Sequence, residues 1–373
     1  LSLLRAEMEK HPDQPDTIAL EKWWQQIEQW RGAHGLWTGD RYEQSEAIKP
    51  QQVKYYERLD RIPQVGDVLF GRVSYIGQHG SLENKEGRIH MINDGTRAVF
   101  IYGNRYAPDA FEGLVPEQET RQVDLLARSG VVGIMREKNT AMKDPTKVEI
   151  LGHVVNADHQ PLNTTDYPIA MPKSPLNREK KRSKLILHVG TSMNSGKSTS
   201  AIACCWALSA IDHPVRASKV TGTASLKDIL HMQDAGAESV SDFSHFGFPS
   251  TYMLEESTVV SIFENLDARF AASPSKYWVV EFADGIMQRE TAMLLRNEYV
   301  RSRIHRLVFS ANDAFGAVGG IQILKDEFGL TPDAISGRCT SSPLMVRELR
   351  QRTDIPVYNN VIRDLKHLSE ILL

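Results

Sequence analysis

The sequence contains no run of about eighteen apolar residues, so it offers no candidate for a membrane-spanning helix. Cysteine is scarce: only Cys204, Cys205 and Cys339 occur. An odd count without a C-x-x-C spacing argues against a disulfide framework and against a zinc site, and fits a reducing cytoplasm. The first residues lack a basic stretch followed by an apolar core, so no signal peptide is expected. The numbering opens at Leu1 rather than methionine, as in a fragment or a processed product. A surplus of positive charge is missing too. With 44 Lys and Arg against 47 Asp and Glu, the net charge of −3 argues against nucleic-acid binding driven by bulk charge. The remainder is ordinary for a globular chain, 41% hydrophobic and 24% charged, and 373 residues suffice for two domains with an extra arm.

One stretch stands out, Leu185 to Thr199, reading LILHVGTSMNSGKST. An apolar run ends in Gly190, polar and flexible residues lead to Gly196-Lys197-Ser198-Thr199, and Ala201 to Leu208 are apolar or small, as in a buried helix. Strand, glycine loop, Lys-Ser/Thr and helix is the order a nucleotide phosphate cradle needs, because consecutive backbone N–H groups and a helix N-terminus bind anions together. Lys197 would reach the β and γ phosphates and the Ser198 hydroxyl would hold Mg²⁺. A side chain at Gly196 would crowd the phosphates. The expected cradle is Gly190, Thr191, Asn194, Ser195, Gly196, Lys197, Ser198 and Thr199. The plainer reading, a polar turn between strand and helix, does not account for the agreement of both flanks.

Around it the second half of the chain alternates strand and helix. Strand candidates are Leu185–Val189, Val215–Val220, Trp278–Phe282, Leu307–Ser310, Ala334–Ser336 and Val357–Tyr358, which implies an α/β domain with a mainly parallel sheet over 185–373. Such sheets carry their chemistry at the C-terminal strand ends. There the string YWVVEFADG places Glu281 and Asp284, either of which could orient Mg²⁺. For Asp284 alone, a capped Asp-Gly turn is the blander account. Lys219 ends another strand, followed by Thr221 and Thr223. SANDAFGAVGG brings Asn312 and Asp313, and SGRCTSSP brings Arg338, a candidate anion clamp through its two-point guanidinium. The Gly-, Ser- and Thr-rich run after DAGA suggests a substrate lid, and His245 within it has no companion at metal-ligand spacing.

The loop departs from the common spacing, since Thr191 stands where a glycine is usual and Gly190 comes one residue earlier. In this it resembles dethiobiotin synthetase, cobyrinic acid amide synthases and their relatives, where a Gly-Thr pair opens a slightly longer loop. The phrases KVTGT, DAGA, VVEFADG and SGRCTSSP look like marks of a branch near the D-glutamate N-acetyltransferase-like P-loop family. The resemblance implies Glu281 as first and Asp284 as second choice for the metal carboxylate. It also implies Lys219 as a catalytic lysine touching substrate and developing phosphate charge, with Thr221 and Thr223 as donors. The implied cofactors are ATP and Mg²⁺, the implied reaction is phosphoryl transfer activating a small carboxylate or related acid, and the implied assembly is a homodimer. An NTP-driven switch whose β-rich domain binds a protein or RNA partner is the alternative.

Residues 61–172 read differently, as short apolar stretches punctuated by turns, which predicts a small antiparallel barrel or sandwich. Its opening, PQVGDVLFGRVSYIGQHGSLEN, resembles an OB-type RNA-binding barrel. Tyr75, Phe100, Tyr102 and Tyr106 could stack bases, but core or strand-surface roles are the better account given the acidic charge. In YGNRYAPDAFEG, Arg105 and Asp109 could face a ligand or a domain interface, and a structural salt bridge across the long loop is an equally good account. Residues 173–184 read as a linker, whose basic run from Arg178 to Lys184 suits a solvated face. Residues 1–58 form a predicted helical arm, with Trp23, Trp24 and Trp30 near one face. Within it, residues 11–52 resemble a fragment of acetolactate synthase large subunits, without a Gly-Asp-Gly thiamine-diphosphate motif following.

Overall fold

The computed structural model describes residues 55–84, 87–172 and 174–373, so the Trp-rich arm lies outside the described residues. Where that arm was expected to end, Tyr55–Glu57 is already a strand, β1. The strands that follow are β2 (Val68–Tyr75), β3 (Ser81–Glu83), β4 (Ile89–Met91), β5 (Arg97–Tyr102) and β6 (Phe111–Leu114). Then come β7 (Gln122–Leu125), β8 (Val131–Lys138) and β9 (Thr146–Val155). Pairing runs β9-β2-β5-β8, and β7 bridges β8 back to β9, so these five strands close a ring. Closure removes the exposed sheet edge. All contacts in the ring are antiparallel except the short β5–β8 pair. Leu69, Val73, Phe100, Tyr102, Val123, Val132 and Val148 fill it. Phe100 and Tyr102 are therefore core residues and not base-stacking platforms. Tyr75 is exposed, and Tyr106 packs on Tyr252 with ring centroids 5.4 Å apart.

The second unit has six strands, β10 (Lys184–Gly190), β11 (Val215–Lys219), β12 (Val240–Asp242), β13 (Tyr277–Glu281), β14 (Ile304–Ser310) and β15 (Ala334–Ser336). All are parallel, in the order β12-β11-β13-β10-β14-β15. Eight helices accompany them: α1 (Lys197–Ala210), α2 (Leu226–Asp234), α3 (Glu256–Phe270), α4 (Arg289–Arg296), α5 (Glu298–Arg303), α6 (Ala314–Phe328), α7 (Pro343–Arg350) and α8 (Leu365–Leu372). Alternation along β10 splits its side chains between two cores. Leu185, Leu187 and Val189 pack with Trp278, Val280 and helices α3, α4 and α6; Ile186 packs with Val279, Val308 and helices α1, α2 and α8. A parallel sheet covered on both faces leaves its C-terminal edge as the place for a ligand.

Three sequence expectations need correction. Val357–Tyr358 is not a strand; it makes one isolated bridge, Val357 to Ile335. The expected lid contains β12 instead, and its Asp242 and His245 are buried in a reciprocal capping box at the start of a 3₁₀ turn. A segment that buries both groups serves as scaffold. The basic run is only partly solvated, because Arg178 pairs with Glu264 and Arg182 with the buried Asp267. All three cysteines are free and buried. Among the described residues no helix is long and apolar enough to cross a membrane.

Candidate functional site

The loop between β10 and α1 turns tightly enough to wrap around a small anion. Gly196 is the N-cap of α1 with φ +100°, and Asn194 also takes a left-handed conformation at φ +60°. Lys197 opens the helix, and its Nζ lies back across the loop, donating to the Ser192 carbonyl at 2.8 Å. Its side chain is nearly enclosed. Burial pushes the ammonium below its ordinary pKa, while Glu281 and then Asp284 pull it back up. Gly196 also has a steric reason within the protein. A Cβ there would sit 2.9 Å from Gly337 Cα and 3.1 Å from Asn360 Nδ2, so the glycine permits packing behind the loop.

Strands β10 and β13 are neighbours, with His188 opposite Glu281, and this register brings the end of β13 beside the start of α1. Ser198 Oγ donates to Glu281 Oε1 at 3.0 Å. Glu281 Oε2 is buried without a hydrogen-bond partner. Burial raises the Glu281 pKa, with Lys219 opposing. A hydroxyl, a carboxylate with an orphaned oxygen and a lysine-bearing anion loop suit Mg²⁺, which takes few protein ligands and completes its shell with phosphate and water. Among the described residues there is no group of three or more His, Cys, Asp or Glu that could hold a metal ion. Asp284 follows in a left-handed turn at φ +58°, and Gly285 behind it packs so closely on the loop that a Cβ would lie 2.3 Å from the Thr191 carbonyl. Burial raises the Asp284 pKa, with Lys197 and Lys219 opposing.

Lys219 is not a free cation. It pairs with Asp228 at the start of α2. Burial works against its charge, but Asp228 and Glu281 more than compensate, so its pKa is raised. Lys219 thus stabilises the acidic side of the site, and a direct grip on substrate requires exchange with Asp228. Thr221 is also committed: its hydroxyl accepts from Ala283 N at 2.8 Å and is buried, so it braces β11 to the Ala283–Asp284 turn. Thr223 makes an isolated bridge to Ser250. Asp313 caps α6 by accepting from Gly316 N.

Arg338 is exposed, and its backbone N donates to the Ser195 carbonyl. Its side chain lines a cavity of about 340 Å³ with Ser192, Met193, Asn194, Asn312 and Asp109. Asn312 Nδ2 donates to Ser192 Oγ at 2.8 Å. Thr199 is exposed on the first turn of α1, and Ser195 is enclosed with its Oγ 3.5 Å from Lys197 Nζ. Behind the loop, Asn360 Nδ2 donates to the Gly196 carbonyl and Ser200 Oγ, both at 3.2 Å. Neither Asn360 nor Gly337 carried a sequence signal beyond its residue type, because each acts through a contact distant in sequence.

The barrel covers one side of this site. Asp109 Oδ2 accepts from Asn194 Nδ2 at 2.6 Å, and Glu83 accepts from Leu226 N at the head of α2. Tyr252 OH donates to Glu112 at 2.6 Å. Arg105 is buried beside His79, with Nη1 3.2 Å from His79 Nε2 and its Nε without a partner. That ring nitrogen also lies 3.0 Å from the Leu126 carbonyl and can serve one of the two at a time. Burial, and then Arg105, lower His79 to about 4, so the ring is neutral. Burial lowers Arg105 to about 10, with Asp284 pulling it back.

No family model and no curated protein matches the chain. Among solved structures it is similar to the signal recognition particle receptor FtsY from Elizabethkingia anophelis in complex with GDP, at 10% identity and a TM-score of 0.36, over 52% of this chain and 65% of that one. A second structure of that receptor gives 12% identity and 0.36, over 51% and 62%. The chain is also similar to a ParA family ATPase from Chlorobium tepidum TLS, at 15% identity and 0.33, over 52% and 89%. The matched region thus spans less than two thirds of the receptor's length.

Proposed function

We propose that the chain is a Mg²⁺-dependent P-loop NTPase, and more finely that it uses ATP to transfer a phosphoryl group to a small carboxylate or related acid. The observation that carries the coarse reading is the Ser198–Glu281 hydrogen bond at the mouth of a loop spanned by Lys197. Ser198 and Glu281 are the residues that would hold the metal, which would supply positive charge to neutralise the charge developing on the phosphates. The backbone N–H groups of the loop and the head of α1 bind the phosphates. Lys197 exchanges the Ser192 carbonyl for a phosphate oxygen and stabilises charge as it builds on the transferring group. Asp228 and Lys219 keep the surroundings of Glu281 close to charge balance. Arg338, unpaired among the described residues and on the cavity wall, is the group we assign to an acidic substrate. A homodimer belongs to the same proposal.

Catalysis of this type is mainly positioning and electrostatics, so losing the ammonium should be severe. Lys197→Ala should lower Mg²⁺-dependent phosphate release from ATP by about 100-fold or more, with an unchanged circular dichroism spectrum. Turnover equal to the wild type would sink the assignment. The contact of the barrel with the loop apex favours a second reading, a nucleotide-driven switch. A screen of small acids separates the two, since acids stimulate turnover by the enzyme and leave the switch indifferent.

A further inference from the structure

The barrel touches the apex of the phosphate loop through one carboxylate. Asp109 stands at the tip of the Tyr102–Gly113 segment, where Ala110 N donates to the Ala107 carbonyl and Asn139 Nδ2 donates to Pro108 O, so the tip is fastened to the barrel. From there Asp109 accepts from Asn194, the apex residue held at φ +60°. Both side chains are exposed and both line the 340 Å³ cavity. Asp109 forms no ion pair among the described residues, and no other carboxylate lines that cavity. An anion is therefore seated on a donor of the very loop whose geometry suits anions.

We infer that Asp109 and the phosphates of a nucleotide compete for the loop apex, so that nucleotide binding displaces Asp109 and loosens the barrel's 104–113 segment from the NTPase unit. The inference rests on the nucleotide reading above. Asn194 Nδ2 carries two N–H donors, so the competition is electrostatic rather than for a single hydrogen: a carboxylate within a few ångströms of a phosphate is repelled even at the protein surface. Other ties of the segment, Asn104 to the Tyr252 carbonyl, Tyr106 against the Tyr252 ring and Tyr252 to Glu112, do not involve the loop and act as the hinge. The consequence is that nucleotide occupancy is reported to the barrel, and that the barrel restrains nucleotide affinity.

The test is calorimetric titration of the full chain with Mg·ATP and Mg·GTP, for wild type, Asp109→Asn and Asp109→Ala, at low and at high salt. Hydrogen exchange of residues 104–113 is followed with and without nucleotide. Asp109→Asn keeps the shape and removes the charge, so affinity should tighten by about fivefold at low salt, with the gain shrinking as salt screens it. Exchange in 104–113 should rise when nucleotide binds. Unchanged or weaker binding in both variants, or falling exchange in the segment, overturns the inference and leaves the nucleotide site standing. Failure of all three proteins to bind either nucleotide overturns both.

Discussion

At the scale of single residues the site is a set of charges held where water cannot relieve them. Lys197, Lys219 and Glu281 are buried and Asp228 is half-buried, and each is tolerable because another lies within reach. His188 has no such relief. It sits on β10 opposite Glu281, wholly buried, and neither ring nitrogen has a hydrogen-bond partner. Burial lowers its pKa to about 3, so folding keeps the ring neutral while the unfolded chain takes up a proton below about 6.5. The stability contributed by this depressed pKa is present above 6.5 and lost as pH falls toward 3. His188→Leu removes two buried ring nitrogens that have no partner, and so should already be more stable than wild type at pH 7, where titration contributes nothing. Its advantage should widen by about 1.4 kcal/mol per pH unit between about pH 6 and 4. Urea denaturation at pH 7 and pH 5 measures this, and parallel loss in the two proteins would show that another group governs acid sensitivity.

Among the elements, the β10–loop–α1 unit was legible because its signal is local. An apolar run, a glycine loop, Lys-Ser and a small-residue helix are contiguous, and five of the six strand expectations fall on observed strands. The exceptions share a cause. Val357–Tyr358 is apolar enough for a strand but makes a single bridge, and Val240–Asp242 is a strand because β11 lies beside it. Neither fact is written in its own few residues. Asp267 on α3 was invisible for the same reason: it accepts from Arg182 before β10 and from Arg303 and Tyr299 on α5, and is fully buried. Removing one partner of such a cluster leaves buried guanidinium charge uncompensated. Asp267→Asn should cost about 3–5 kcal/mol of stability, and a thermal melt shifted by less than a degree would contradict the clamp.

For the whole molecule, the organising fact is that two differently built units meet over one loop. In the sequence, a period of two with frequent turns gives way after the Pro-rich segment to alternating strands and helices. Of the residues that join the units, the sequence marks only Asp109 as a candidate for an interface; its partner and the other pairings were not readable, since Asp109 to Asn194, Glu83 to Leu226 and Tyr252 to Glu112 join residues 85, 143 and 140 positions apart. The chemistry still rests on the loop and the acid beside it. Its most direct test is nucleotide titration of the wild type with and without Mg²⁺, beside Glu281→Gln. Saturable binding that tightens at least tenfold with Mg²⁺ is expected, and the Glu281→Gln protein should lose that metal dependence while still binding nucleotide. Metal-independent binding in the wild type, or the same metal dependence in both proteins, would contradict it.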